Sequence, residues 1–230
     1  MKQLFTIQNW NVWPPLGKEV DEALLQKQLL LTLPRMLRRR LTPLARAVFS
    51  AAIPCVDKNS AIPIVFSSTH GELAKSFKMM EMLEAGEEIS PTAFSLSVHN
   101  AIAGLFSIAF NNRTECTVVA PGEEGIAAAF IEAIGLLEEG KEQVLLVLYD
   151  EPLVAFYPSA PYKLSAEQSC TIALTVSKGG EGVAIQLSCE HTTGDDGEQP
   201  LQVPLLIEFL ANRHNKLTIH NPRHSWRWQK

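Results

Sequence analysis

The sequence has little of what announces metal or redox chemistry. Its 230 residues contain four cysteines, Cys55, Cys116, Cys170 and Cys189. They form no CxxC pair and show no ligand spacing with histidine, which argues against a structural zinc site and fits buried thiols in a reducing compartment. No cofactor or metal is expected. No run of about 18 apolar residues could span a bilayer, and the opening MKQLFTIQNWNVWPP lacks the apolar core of a signal peptide. The expectation is a soluble, cytoplasmic protein. There is no basic excess either: the net charge of −5 argues against a general nucleic-acid binder. There is no internal repeat and no low-complexity tract.

What is present is hydrophobic: 46% of the residues, enough for a sizeable core in a single domain over 1–230. Alternation in LFTIQNWNVW predicts an opening strand stopped by Pro14 and Pro15. Two helical stretches follow, one over 19–31 and one from Pro34 that Pro43 kinks or breaks. AIPIVFSSTHG reads as a short buried strand ending in a polar loop. ELAKSFKMMEMLEA then has helical spacing through Leu73, Phe77, Met80 and Leu83. A further helix is expected over 98–110, ended by Asn111 and Asn112.

ECTVVAPGEEGIAAAFIEAIGLLEEGKEQVLLVLYDEP is a strand, helix, strand unit in which Ile126, Phe130, Ala133, Ile134 and Leu137 share one helical face. QVLLVLY is continuous and apolar, as in a strand buried on both sides, so the fold class is α/β with a mixed, partly parallel sheet flanked by helices. CTIALTVS and GVAIQLSCE read as a hairpin about KGGEG. HTTGDDGEQP reads as a polar loop, 201–213 as a helix and KLTIH as a strand. NPRHSWRWQK is either a contact or a loose tail.

Candidate sites follow from these placements. On the helix over 98–110, Val98, Ala101, Ile102, Leu105, Ile108 and Ala109 make a broad apolar stripe. Asn100, Ala103, Gly104 and Ser107 make a narrow band of small residues. A helical glycine costs about 1 kcal/mol relative to alanine, so Gly104 suggests close backbone approach, whether by internal packing or by a subunit interface or tunnel wall. His99 is a possible acid or base but has no serine, cysteine or carboxylate at revealing spacing. Arg35, Arg38, Arg39, Arg40 and Arg46 either attract an acidic partner or line a solvated helix face. His191 and Asp195, in HTTGD, read as turn chemistry. In APGEEG, Glu123 and Glu124 either stabilise the positive end of a helix or mark a junction that holds nucleophiles in several α/β folds.

Taken together, LPRMLRRRLTPLARAVFSAA, IPIVFSSTHGEL, SPTAFSLSVHNAIAGLFSIAF and EEGIAAAFIEAIGLLEEGKEQVLLVLYDE resemble the amino-terminal half of β-ketoacyl synthases, which have the thiolase fold. The resemblance covers about 30–190, with SVHNAIAG its most specific part, and 190–230 would be a family-specific extension. It is nearest to the short, chain-length-factor-like group associated with aryl polyene and other type II polyketide-style assembly. Aligned back from Gly140, Glu123 stands where a ketosynthase carries its reactive cysteine, with Cys116 seven residues earlier in the preceding strand. A carboxylate could accept an acyl group only as a mixed anhydride, so thioester transfer here is disfavoured.

The family's carboxyl-terminal half, with its two histidines, is not expected in this chain, and the likeness of His191 to the first histidine motif lies out of order. The resemblance therefore implies a non-catalytic subunit. It would pair with a full-length ketosynthase as a heterodimer in polyketide, aryl polyene or fatty-acid-like elongation and shape the acyl tunnel. Phe94, His99, Asn100, Ala103, Gly104, Phe106 and Ser107 would form the interface or tunnel, and Glu123 would fill the vacated pocket. Arg35, Arg38, Arg39 and Arg40 would meet an acyl carrier protein. The alternatives are an independent acyl-thioester transferase or hydrolase using Ser68, His70, His99 or a cysteine, and a self-associating scaffold.

Overall fold

The computed structural model describes residues 2–17, 20–56, 61–153, 155–156, 169–191 and 202–230. In chain order these carry β1 (Lys2–Trp13), α1 (Glu22–Leu31), α2 (Arg35–Arg38), α3 (Pro43–Ala52), β2 (Ile64–Ser67), α4 (Leu73–Glu84), α5 (Pro91–Ser95) and α6 (Ala101–Phe110). Next come β3 (Cys116–Val119), α7 (Ile126–Glu138), β4 (Gln143–Asp150), β5 (Cys170–Ser177), β6 (Val183–His191), α8 (Gln202–Glu208), β7 (Lys216–His220) and β8 (His224–Gln229). The eight strands form one sheet in the order β3-β2-β4-β5-β1-β6-β8-β7. β2 runs parallel to β3 and β4, and every other pairing is antiparallel, giving the mixed sheet that the apolar runs imply.

Strand β4 shows why both faces must be covered. Val144, Leu146 and Leu148 enter the core beneath α7 and α8, while Leu145, Val147 and Tyr149 enter the core beneath α3 and α6. Ile126, Phe130, Ala133, Ile134 and Leu137 all bury against the first face, as the helical spacing predicts. The expected hairpin of β5 and β6 does not form as an adjacent pair, because β1 lies between them and bonds to both. A strand inserted from the far end of the chain leaves no trace in the local pattern.

β1 also breaks its own alternation. Phe5 and Ile7 share a core with Trp10 and Val12 because the register slips between Ile7 and Asn9, leaving Gln8 as a bulge. The slip sends Asn11 to the opposite face, where its Nδ2 donates to the carbonyls of Ser50 and Ala51 at 3.3 and 3.1 Å. Those carbonyls lie in the last turn of α3, where helical acceptors lack intrahelical donors.

Pro43 breaks the second helical stretch outright. Thr42 caps α3, accepting from the Ala45 amide at 3.0 Å, with Pro43 in the first turn. The helix expected over 98–110 begins only at Ala101, preceded by the separate α5. On α4 the buried residue is Met79, while Met80 and Leu83 face outward. NPRHSWRWQK is no loose tail: it contributes β8, whose Trp226 and Trp228 enter the core. The polar loop read over 192–200 and the helix start at residue 19 lie outside the described residues. Among the described residues, no helix is long and apolar enough to cross a membrane.

The bulge needs a residue without a side chain beside it. At Gly182 (φ +140°) a Cβ would collide with the Ile7 carbonyl and stand 2.9 Å from the Gln8 Cα. Gly182→Ala should therefore lower unfolding free energy by roughly 2–3 kcal/mol, read as a reduced urea midpoint at unchanged slope.

Candidate functional site

The junction between β3 and α7 passes through a single 3-10 turn, Gly122–Glu124, and then Gly125, at φ 56° and ψ −145°. Glycine has no side chain to cap a helix, so the first amides of α7 need acceptors from elsewhere. The Ile126 amide donates to Gln202 Oε1 at 2.9 Å, and a Cβ on Gly125 would collide with that carboxamide. Gln202 Nε2 donates onward to Asn221 Oδ1 at 3.0 Å, and Asn221 Nδ2 donates to the Glu124 carbonyl at 2.9 Å.

The two carboxylates of the turn have different fates. Glu124 accepts from Trp226 Nε1 at 2.7 Å and from His224 Nδ1 at 2.7 Å. A carboxylate only accepts, so that ring nitrogen carries its proton. Glu123, which the resemblance places at the nucleophile position and in a vacated pocket, is instead an exposed surface group paired with Arg223 Nε at 3.1 Å. The Gln202 carboxamide lies against Gly125, directly behind the turn.

The family model for the β-ketoacyl synthase N-terminal domain matches residues 10–229. This chain belongs to that family. The structure of a ketosynthase (ApeO) in complex with its chain length factor (ApeC) from Xenorhabdus doucetiae matches at 21% identity and a TM-score of 0.77, covering 98% of this chain and 99% of that one. The ishigamide ketosynthase/chain length factor matches at 16% identity and 0.62, covering 84% and 68%. AntDE:AntF, a type II polyketide carrier protein in complex with its ketosynthase, matches at 9% identity and 0.62, covering 100% and 99%. At these identities the likeness is one of fold, the thiolase-like fold of ketosynthases. Comparison with curated proteins finds no match.

Against this family's chemistry, the thiols of the chain are poorly disposed. Burial pushes Cys55 up to about 12 and Cys170 up to about 11. Cys116 lies on the exposed edge of β3, but its sulfur tucks against the Ser107 hydroxyl and burial raises its pKa as well. None is held as a thiolate at neutral pH. Only Cys55 is a fully buried thiol, short of the expectation for all four.

The loop after β2 collects the other residues singled out. Ser68 Oγ donates to Asp150 Oδ1 at 2.9 Å and accepts from the Gly71 amide at 2.7 Å, which uses its hydroxyl within the loop. Thr69 adds its amide at 2.8 Å and its hydroxyl at 3.1 Å to the same carboxylate. Burial raises the Asp150 pKa against these bonds. The His99 ring packs onto Gly71, and the Nε2 atoms of both His70 and His99 are buried without a partner. Glu72, buried beside them, accepts from Thr42 Oγ1 at 2.6 Å. Glu151 is pushed up to about 7 by burial and then by Glu72 and Asp150.

Helix α6 divides the remaining candidates. Ala103 is 2% exposed and Phe106 0%. Phe106 stacks among Phe49, Phe66 and Phe110, so both residues belong to the internal core and not to a surface. Gly104 and Asn100 face outward, Ser107 is half-buried, and Ile108 at 70% and Phe94 at 62% are exposed. Arg35, Arg39 and Arg40 are exposed, with Arg38 half-buried.

Sequence reasoning passed over Gln202, Asn221, His224 and Trp226 altogether. The alternation in HSWRWQ is a strand signal that would have found β8. Nothing local pairs it with Glu124, 102 residues away.

Glu124→Ala leaves the Trp226 indole and the His224 ring without their acceptor and should cost roughly 1–3 kcal/mol in chemical unfolding. Glu123→Ala, which breaks only a surface pair, should cost under about 1 kcal/mol. For Glu151 the folded pKa is raised, so its contribution to stability is present below the ordinary value of 4.5 and is lost as pH climbs towards about 7. Because the group is half solvated, the loss should be on the order of 1 kcal/mol between about pH 4.5 and 7.5. Glu151→Gln should flatten that slope in urea titrations.

Proposed function

We propose that this chain is a chain-length-factor-like subunit without acyl-transfer chemistry of its own. It pairs with a full-length β-ketoacyl-acyl carrier protein synthase in polyketide, aryl polyene or fatty-acid-like elongation, stabilises it and bounds its acyl tunnel. The observation that carries this reading is the α7 amino terminus. Where the resemblance puts the nucleophile stands a solvent-facing carboxylate, and the helix amide behind it is already bonded to Gln202. A helix end engaged in this way has little left to offer a reacting thioester.

The pairing surface is the outer face of α6 together with β3. Among the described residues β3 is the last strand of the sheet and bonds on one side only, to β2. Beside it Phe94, Val98 and Ile108 are exposed around Gly104, and a Cβ on Gly104 would meet nothing within 4 Å. Close approach at Gly104 is thus reserved for a partner. His99 and Asn100 border this face, and the exposed Arg35, Arg39 and Arg40 suit the acidic surface of an acyl carrier protein.

Co-expression with a full-length ketosynthase should give a single heterodimer peak on size exclusion at low and moderate salt, and two separate peaks would overturn the reading. Gly104→Ala should leave the isolated chain as stable or up to about 1 kcal/mol more so. Gly104→Leu should abolish pairing without unfolding the chain, and Glu123→Ala should leave pairing intact. The purified chain should gain no covalent mass from an acyl thioester.

A further inference from the structure

Between α1, α2 and α3 lies an open pocket of about 420 Å³. Its walls carry Lys27, Arg35, Arg38, Arg39 and Arg46 over an apolar floor at Leu30, and no carboxylate lines it. The concentration of charge is local. Across 20–56 only Asp21 and Glu22 oppose these five cations and Arg40, in a chain whose net charge is −5. Asp21 is engaged in capping α1, accepting from the Leu24 amide at 3.0 Å. Among the described residues, none of the five pocket cations has an acidic partner.

Arginine cannot relieve this crowding by losing a proton. Arg46 is held by its Nε, which donates to the Leu41 carbonyl at 3.3 Å, leaving its two terminal nitrogens free of protein acceptors. Arg38 is half-buried and its Nε has neither solvent nor acceptor, so its charge is both under-hydrated and uncompensated. Like charges gathered around a concavity, with incomplete hydrogen bonding, describe a site awaiting an anion. A single carboxylate would neutralise one of five charges. A phosphate dianion offers more charge and the oxygen geometry that guanidinium forks match.

We propose that this pocket binds a small phosphate ester. The phosphate is clasped by Arg38 and Arg46, with Lys27, Arg35 and Arg39 supplying the surrounding field. The organic part of the ester lies against Leu30 and the aliphatic stem of Gln26. The volume is of the size that small ligands occupy, so a compact ester fits inside the pocket, whereas an acidic protein surface would meet only the exposed Arg35 and Arg39 of the rim and Arg40 outside the lining. The site stands apart from the α6 and β3 face, so it can be tested on the chain alone, whatever becomes of the pairing.

Phenyl phosphate titrated into the full chain at fixed ionic strength, followed by calorimetry, should show saturable one-to-one binding. Benzoate should bind at least about tenfold more weakly, and Arg38→Gln and Arg46→Gln should each weaken phenyl phosphate by about tenfold. Arg40→Gln, outside the lining, should leave binding unchanged. Arg38→Lys keeps the charge without the fork and should fall between wild type and Arg38→Gln, which covers the case of a poorly folded glutamine variant. The proposal is overturned by any of three results: no saturable binding, benzoate bound as tightly as phenyl phosphate, or a polyglutamate peptide bound in its place.

Discussion

Helix α7 starts on a glycine directly behind two carboxylates, and the acceptor for its first amide comes from Gln202, 76 residues further along the chain. Much of the carboxyl-terminal lobe is held to the sheet through that contact and its neighbours. Gln202 bonds to Asn221, Asn221 to the Glu124 carbonyl, and the Glu124 carboxylate to both His224 and Trp226. Behind this polar chain the packing is aromatic. Trp228 meets Phe130 edge-on at 5.6 Å, and Phe130 lies 5.6 Å from Phe5 of β1. A helix terminus that would otherwise carry unpaired donors therefore fixes the last strands of the sheet against the first.

The same contact bears on chemistry. A helix amino terminus stabilises anions, and folds that place a nucleophile there draw on that field. Here the field meets Glu123 and Glu124, whose carboxylates are already engaged, Glu123 by Arg223 and Glu124 by Trp226 and His224. The nearest amide is spent on a neutral carboxamide. A thiol introduced at residue 123 would share the turn with the Glu124 carboxylate, whose negative charge opposes formation of the thiolate. The non-catalytic reading thus rests on how the turn is built as well as on the identity of one residue.

The parts of the fold legible in the sequence are those whose pattern is complete within one segment. The α7 face could be read because its period runs unbroken along the 13-residue helix, and the doubly buried β4 because its apolar run is continuous. β1 was legible as a strand but not as the sheet's centre, since its partners, from Trp13↔Thr171 to Lys2↔Ser188, lie far away in sequence and its bulge at Gln8 hides the change of phase. The α6 stripes were only half legible. Periodicity grouped Ala103 with Gly104 and Ser107, but the Phe49, Phe66, Phe106 and Phe110 cluster turns the helix so that Ala103 faces inward. Met80 and Leu83 misled for the complementary reason, being apolar residues on a helix face that none of the described residues covers.

That leaves the outer edge of the sheet. Strand edges in lone chains are blunted by very short length, lysine, proline, bulges or a covering element, because an unpaired row of amides and carbonyls recruits other strands. β3 reads Cys116, Thr117, Val118, Val119, with no charge, no proline and no bulge in its pairing with β2, so its four-residue length is its main guard. Beside it α6 tolerates a helical glycine that no internal contact requires, and leaves Ile108 almost fully in solvent. Each feature alone is a small cost to an isolated chain. The short edge at β3, the open space above Gly104 and the exposed Ile108 are the features on which the proposed pairing rests.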